Sequence, residues 1–206
     1  MAERVEKAAA RVCREAGGHV RTHRLLRDLN AEEARVDNDR RLEVVVSGLP
    51  VFGGAQVAVD ATLVSPLRRT GEARPRAHTE DGAALKDARK LKHTTYPELR
   101  HSRRCHLVTA GMEVGGRWEE EAYQFLVELA KAKAQEATPT LRGSATHSWL
   151  RRWVALLSKA AMDSFAATLV EGSAEKTELW NGAAPTLGAV LCAAPVPPAS
   201  SRLGPR

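Results

Sequence analysis

The spacing of apolar and polar residues changes rhythm several times along the chain, and each change marks an element. From Glu3 to Ala16, Val5, Ala8, Ala9, Val12 and Cys13 recur at helical spacing, and Gly17-Gly18 stops the pattern. His19 to Leu29 alternates weakly, as a first strand would. Asn30 to Arg40 is a charged loop. Arg41–Gly48 (RLEVVVSG) and Ala55–Ser65 (AQVAVDATLVS) are rich in β-branched residues and predict two strands, joined by the turn LPVFGG. Pro66 ends the second, and a basic loop runs from Leu67 to Gly82. Ala83 to Tyr96 predicts a helix stopped by Pro97. Arg104 to Val114 predicts a buried strand before Gly115-Gly116.

Two long helices follow, Arg117 to Glu136 and Ala145 to Glu171. The first has Trp118, Ala122, Phe125 and Leu129 on one stripe, the second Trp153, Leu157 and Ala161. Residues 172–206 hold five of the ten prolines and predict a disordered tail, leaving 1–171 as one domain. The order α-β-β-β-α-β-α-α predicts an α/β fold: a three-strand meander, a helical crossover to a fourth strand, and a mixed central sheet flanked by helices. Restriction-endonuclease-like cores share this αβββαβ order, as do other folds.

Composition narrows the class. The 206 residues are 43% apolar and 27% charged, ordinary for a globular chain able to bury a core. No apolar run reaches the roughly 18 residues of a membrane helix, so no membrane partner is expected. The start, MAERVEKAAA, is too charged for a signal peptide. Cys13, Cys105 and Cys192 are too scattered for a disulfide framework or paired-cysteine zinc spacing, which points to a reducing, intracellular setting. Net charge is +6, and it is concentrated: Asp60 to His106 holds eleven Lys/Arg against six Asp/Glu, with four of the seven histidines. Such clustering suits a polyanion such as DNA, although a solvated face has the same composition.

Two acids stand out, because acidic residues are depleted in strands. Glu43 lies within RLEVVV and Asp60 within VAVDATLV. A six-residue turn centred between Val51 and Phe52 would place Glu43 opposite Asp60, with Cβ atoms about 5 Å apart. Two carboxylates that close repel unless a cation compensates, and their hard oxygens suit Mg²⁺ or Mn²⁺. A one-residue slip would destroy the pairing, and the alternative is one acid on an exposed face or edge. A phosphodiester-cleaving site also needs a cation beside the metal. Lys86, Arg89, Lys90 and Lys92 all lie on the helix after the basic loop, and spacing does not choose among them. Arg68, Arg69, Arg74 and Arg76 in that loop, with Lys90, are candidates for gripping a nucleic-acid backbone.

Other features carry less. The Gly115-Gly116 turn could offer amides to a phosphate at a helix start, although a plain strand–helix turn is commoner. His19 and His23 lack an acidic partner at zinc spacing. Trp149 and Trp153, four apart on a helix, read as core rather than as a base-stacking platform.

Together, RLEVVVSGLPVFGGAQVAVDATLVSPL, ARKLKHTTYPEL, HLVTAGMEVGGRWEEEAYQFL and WLRRWVALLSKA resemble the restriction-endonuclease-like, PD-(D/E)XK domain that follows reverse transcriptase in non-LTR retrotransposons, over roughly residues 8–171. The resemblance implies target-DNA nicking to prime reverse transcription, in a nuclear protein that also meets element RNA. It places Glu43 and Asp60 as the metal-holding carboxylates and Lys92, four residues before Tyr96, as the displaced catalytic lysine. Leu42-Glu43 replaces the family's Pro-Asp, and Thr62 stands where the simplest motif has lysine. No reverse transcriptase precedes the domain, so the chain resembles a detached C-terminal piece, either an endonuclease domain or a degenerate binding fragment.

Overall fold

A computed structural model describes residues 3–29, 38–68 and 70–175, of which 171–175 as backbone alone. The chain divides into two units, Met1–Val170 and Glu171–Arg206, and the first holds the whole sheet and its helices, apart from the last five residues of α5. Its elements are α1 (Glu3–Glu15), β1 (His19–Leu25), β2 (Arg41–Ser47), β3 (Gln56–Val64), α2 (Ala83–Thr95), α3 (Pro97–Arg100), β4 (Cys105–Glu113), α4 (Glu120–Ala134) and α5 (Arg142–Glu175). The four strands form one sheet in the order β1-β2-β3-β4. β1–β2 and β2–β3 are antiparallel, and β4 joins β3 in parallel through the α2–α3 crossover. The fold is mixed α/β, as the pattern predicts.

Strand alternation sorts the apolar residues onto two faces. Val44, Val46, Val57, Val59, Val108 and Ala110 pack with α1, α4 and α5 through Val12, Phe125, Leu129, Trp153 and Leu157. Val45, Ala58, Cys105 and Leu107 face the other way, against Leu26, Tyr96 and Leu99. The sheet is buried on both sides, which explains why its strands read as near-continuous apolar runs. Asp60 alternates onto the second face, beneath α2.

Several boundaries differ from the sequence reading. β1 ends at Leu25, because Leu26 turns into a 3-10 segment and buries completely in the second core. Pro97 does stop α2, but it also opens the short α3 as an N-terminal proline can. α4 starts at Glu120, three residues late, since 117–119 first pair back onto β4: Glu113 N donates to the Arg117 carbonyl (2.8 Å) and Glu119 N to that of Gly111 (2.9 Å). α5 starts at Arg142, and its backbone stays helical to Glu175. The proposed disorder beyond Glu175, Cys192, Arg69 and the loop over 30–37 lie outside the described residues.

Length and composition alone make one stretch of the described residues a candidate membrane span. Pro139–Val170 is long and apolar enough by length and composition. It carries a Lys159–Asp163 pair (2.6 Å), and its Trp153, Leu157 and Ala161 sit in the first core, as core helices do.

Candidate active site

The β2–β3 ladder pairs Val44 with Val59, Val45 with Ala58 and Val46 with Val57, the register expected from the turn. Continued one step, it brings Glu43 alongside Asp60. Backbone pairing stops there, and the Glu43 side chain takes over. Its Oε2 accepts a hydrogen bond from the Ala61 amide at 2.6 Å, next to Asp60. On the facing strand, the neighbour of Glu43 in register is His23, which adopts a left-handed conformation (φ 53°) and is skipped by the β1–β2 ladder. The sheet is thus locally irregular on both sides of Glu43. Irregular ladder points are where strands re-aim side chains.

Asp60 is 1% exposed. Its Oδ1 accepts from the Lys92 ammonium at 2.7 Å, so Lys92 reaches in from α2 as the resemblance implies. The neighbouring α2 cations go elsewhere: Lys86 pairs with Glu80 (2.6 Å), and Arg89 with Glu121 (3.1 Å) and Glu119 (3.5 Å). Geometry makes the choice that spacing left open. Glu43, Asp60 and Lys92 converge, and Glu43 feels its surroundings. Burial pushes the Glu43 carboxyl up to about 7; the Ala61 amide opposes this, and the Asp60 charge adds to it. Tyr96, under the end of α2, donates its hydroxyl to the Arg41 carbonyl (3.1 Å). Burial, then the Asp60 and Glu43 charges, push its phenol up to about 12. Arg40 braces this corner. It pairs with Glu98, donates to the Thr95 carbonyl and lies over the Tyr96 ring at 5.7 Å.

The residues fit a divalent cation in one specific respect. Asp60 Oδ2 is buried with no hydrogen-bond partner, and so is the hydroxyl of Thr109, its register neighbour on β4. A buried, unpartnered carboxylate oxygen costs about 1–3 kcal/mol or more, so it calls for a ligand. Glu43 and Asp60 would hold the ion, whose charge would also favour ionised Glu43. Among the described residues no group of three or more His, Cys, Asp or Glu side chains gathers as a ready metal site.

The other candidates lie apart from this cluster. Arg68 faces Glu72 (3.9 Å), Arg74 donates to the Ser65 carbonyl (2.9 Å), and Arg76 pairs with Glu80 (3.0 Å) and Asp87 (2.8 Å). These bonds brace the basic loop, so its cationic count overstates the charge it can present. The Gly115-Gly116 turn is not at a helix start. α4 is capped by Glu119, whose Oε2 accepts from the Glu121 (2.7 Å) and Ala122 (3.2 Å) amides. An acid already fills the place a phosphate would take. Lys90 makes no ion pair among the described residues. Trp153 is fully buried, with Trp149 tilted against it at 5.4 Å, as expected for core. Sequence reasoning missed Thr109, Arg40 and Glu98. Only the Tyr-Pro pair at 96–97 marked that corner.

Fold and site therefore define a mixed α/β protein with an acid–acid–lysine cluster, centred on buried Asp60, on the face of its sheet that α2 covers. No protein-family model matches the chain, and no curated protein matches it.

Proposed function

We propose that this chain is a Mg²⁺-dependent DNA endonuclease domain with a restriction-endonuclease-like core, of the kind that nicks target DNA to prime reverse transcription in non-LTR retrotransposons. The observation that carries the reading is the contact of Lys92 with Asp60 at 2.7 Å, with Glu43 docked on the adjacent amide. Bound to Glu43 and Asp60, Mg²⁺ or Mn²⁺ supplies charge stabilisation at a phosphate and makes a bound water more acidic. Asp60 is fixed by its burial and by Lys92. Glu43 is fixed by the Ala61 amide, and its carboxyl sits near the ionisation midpoint at neutral pH. Lys92 orients the attacking water or offsets negative charge gathering on the phosphate. DNA is the substrate, element RNA a second ligand, and the nucleus the place of action.

One observation favours a second reading, a catalytically degenerate nucleic-acid-binding fragment. Lys92 already occupies one oxygen of Asp60, and Thr62 stands in the usual lysine position. Nicking of supercoiled plasmid in Mg²⁺ separates the two. The endonuclease reading expects relaxed circles that EDTA abolishes and a loss of at least about 100-fold in Asp60→Asn. Equal activity in that variant removes the endonuclease reading. DNA binding without cleavage, unaffected by EDTA, supports the fragment.

A further inference from the structure

A second feature lies off the acid–lysine cluster. Lys86, Lys90, His93 and Thr94 stand at positions i, i+4, i+7 and i+8 of α2 and so share one stripe, which excludes Lys92. With Arg89, and with Arg100 and His101 at the end of α3, they line an open groove of about 590 Å³. Its one acidic lining residue is Glu121. Lys86 and Arg89 are held by Glu80 and by Glu119 and Glu121. Lys90, Arg100 and His101 are exposed and make no ion pair among the described residues.

The floor of the groove is incomplete in the protein alone. Both ring nitrogens of His93 are buried without hydrogen-bond partners, whereas Oε2 of Glu121 is held by Arg89 Nε at 3.1 Å. They face each other at 4.0 Å, too far for a direct bond. Buried polar groups are normally satisfied, so the unpartnered imidazole is an exception beneath the groove. The wall above it carries unpaired cations. A guanidinium offers a planar fork and an ammonium is a point charge; together they suit phosphate oxygens.

We propose that the groove between α2 and α3 binds a phosphodiester backbone, with Lys90 and Arg100 contacting phosphate. The choice of a nucleic acid as the polyanion rests on the functional reading above; the place of contact does not. This moves the contact surface from the loop arginines to two helices. The reason is physical: Arg68, Arg74 and Arg76 are already engaged within the protein, whereas Lys90 and Arg100 are not. Phosphate contacts of this kind position a nucleic acid without reading its sequence.

Fluorescence anisotropy in EDTA tests the site apart from cleavage. The full chain is titrated against a labelled 20-base-pair DNA duplex, the corresponding single strand and an RNA duplex over a salt series. Lys90→Gln/Arg100→Gln should weaken duplex binding about 10-fold or more and reduce the salt slope by about two. Arg68→Gln/Arg76→Gln should change affinity less than about twofold, because both side chains already face Glu72, Glu80 and Asp87. Stronger binding of one nucleic acid identifies the source of the backbone. Absence of binding by the wild type, an unchanged slope in the groove variant, or a larger loss in the loop variant overturns the proposal. A groove variant that loses binding beside an Asp60→Asn variant that keeps it supports the groove even if no nicking is ever seen.

Discussion

The Asp60–Lys92 pair is unequal, and that inequality makes a testable prediction. The Asp60 side chain is 2% exposed and the Lys92 side chain 26%. At 2.7 Å the gross attraction is about 6 kcal/mol for an effective dielectric of about 20, and desolvation offsets much of it. Lys92→Met leaves the Asp60 carboxylate in a site it cannot leave, with both oxygens then unpartnered. Breaking a buried pair in this way costs about 3–5 kcal/mol, which for a domain this size lowers Tm by on the order of 10 °C. Asp60→Asn leaves an ammonium on a long stem that can swing to water, so its cost should be nearer 1–2 kcal/mol. The double variant should be more stable than Lys92→Met alone, giving a coupling of about 2 kcal/mol. Urea unfolding of the four proteins at pH 7 without divalent ions measures the cycle. A cost below about 1 kcal/mol for Lys92→Met, or a greater cost for Asp60→Asn, would refute the claim that the carboxylate is the trapped partner.

Three further outcomes follow from other contacts. Glu43 has a folded-state pKa raised from 4.5 to about 7, so the folded form holds its proton longer than the unfolded chain. Stability should therefore fall as pH rises from about 4.5 to about 7, and Glu43→Gln should flatten that part of a urea-midpoint profile. Glu15 behaves oppositely. Its carboxylate takes Arg152 through two nitrogens (2.9 and 2.8 Å), Arg11 (2.9 Å) and the Trp153 indole (3.0 Å), and these hold its pKa down at about 2. Its contribution is present above pH 4.5 and lost as pH falls through about 2; Glu15→Gln should cost about 1 kcal/mol at pH 7, and thermal melts of the two proteins should converge at the acid end. Gly18→Ala should cost about 1–3 kcal/mol, since a Cβ there would sit 2.5 Å from Val46 Cγ1 and 2.8 Å from Leu49 Cδ2, and a melt matching the wild type would show that these side chains yield freely.

What the sequence by itself determined here is local or periodic. The β-branched runs set β2 and β3, and the helical stripe of α1 ends at a glycine pair because Gly17 can take a φ of 95°. Even the β2–β3 register was legible, since a hairpin's alignment follows from its turn length, and that aligned Glu43 with Asp60. Three matters depended on the tertiary structure. Lys92, not Lys86, Arg89 or Lys90, meets Asp60, because the crossover docks one stripe of α2 against the sheet and leaves the other facing out. The arginines of the basic loop were countable, but Asp87, the second partner of Arg76, comes into reach only where the loop meets α2. The floor of the groove joins His93 to Glu121, 28 positions away and on another helix. Periodicity describes one element at a time, whereas a site made of side chains from separate elements exists only once packing has set the distances between them.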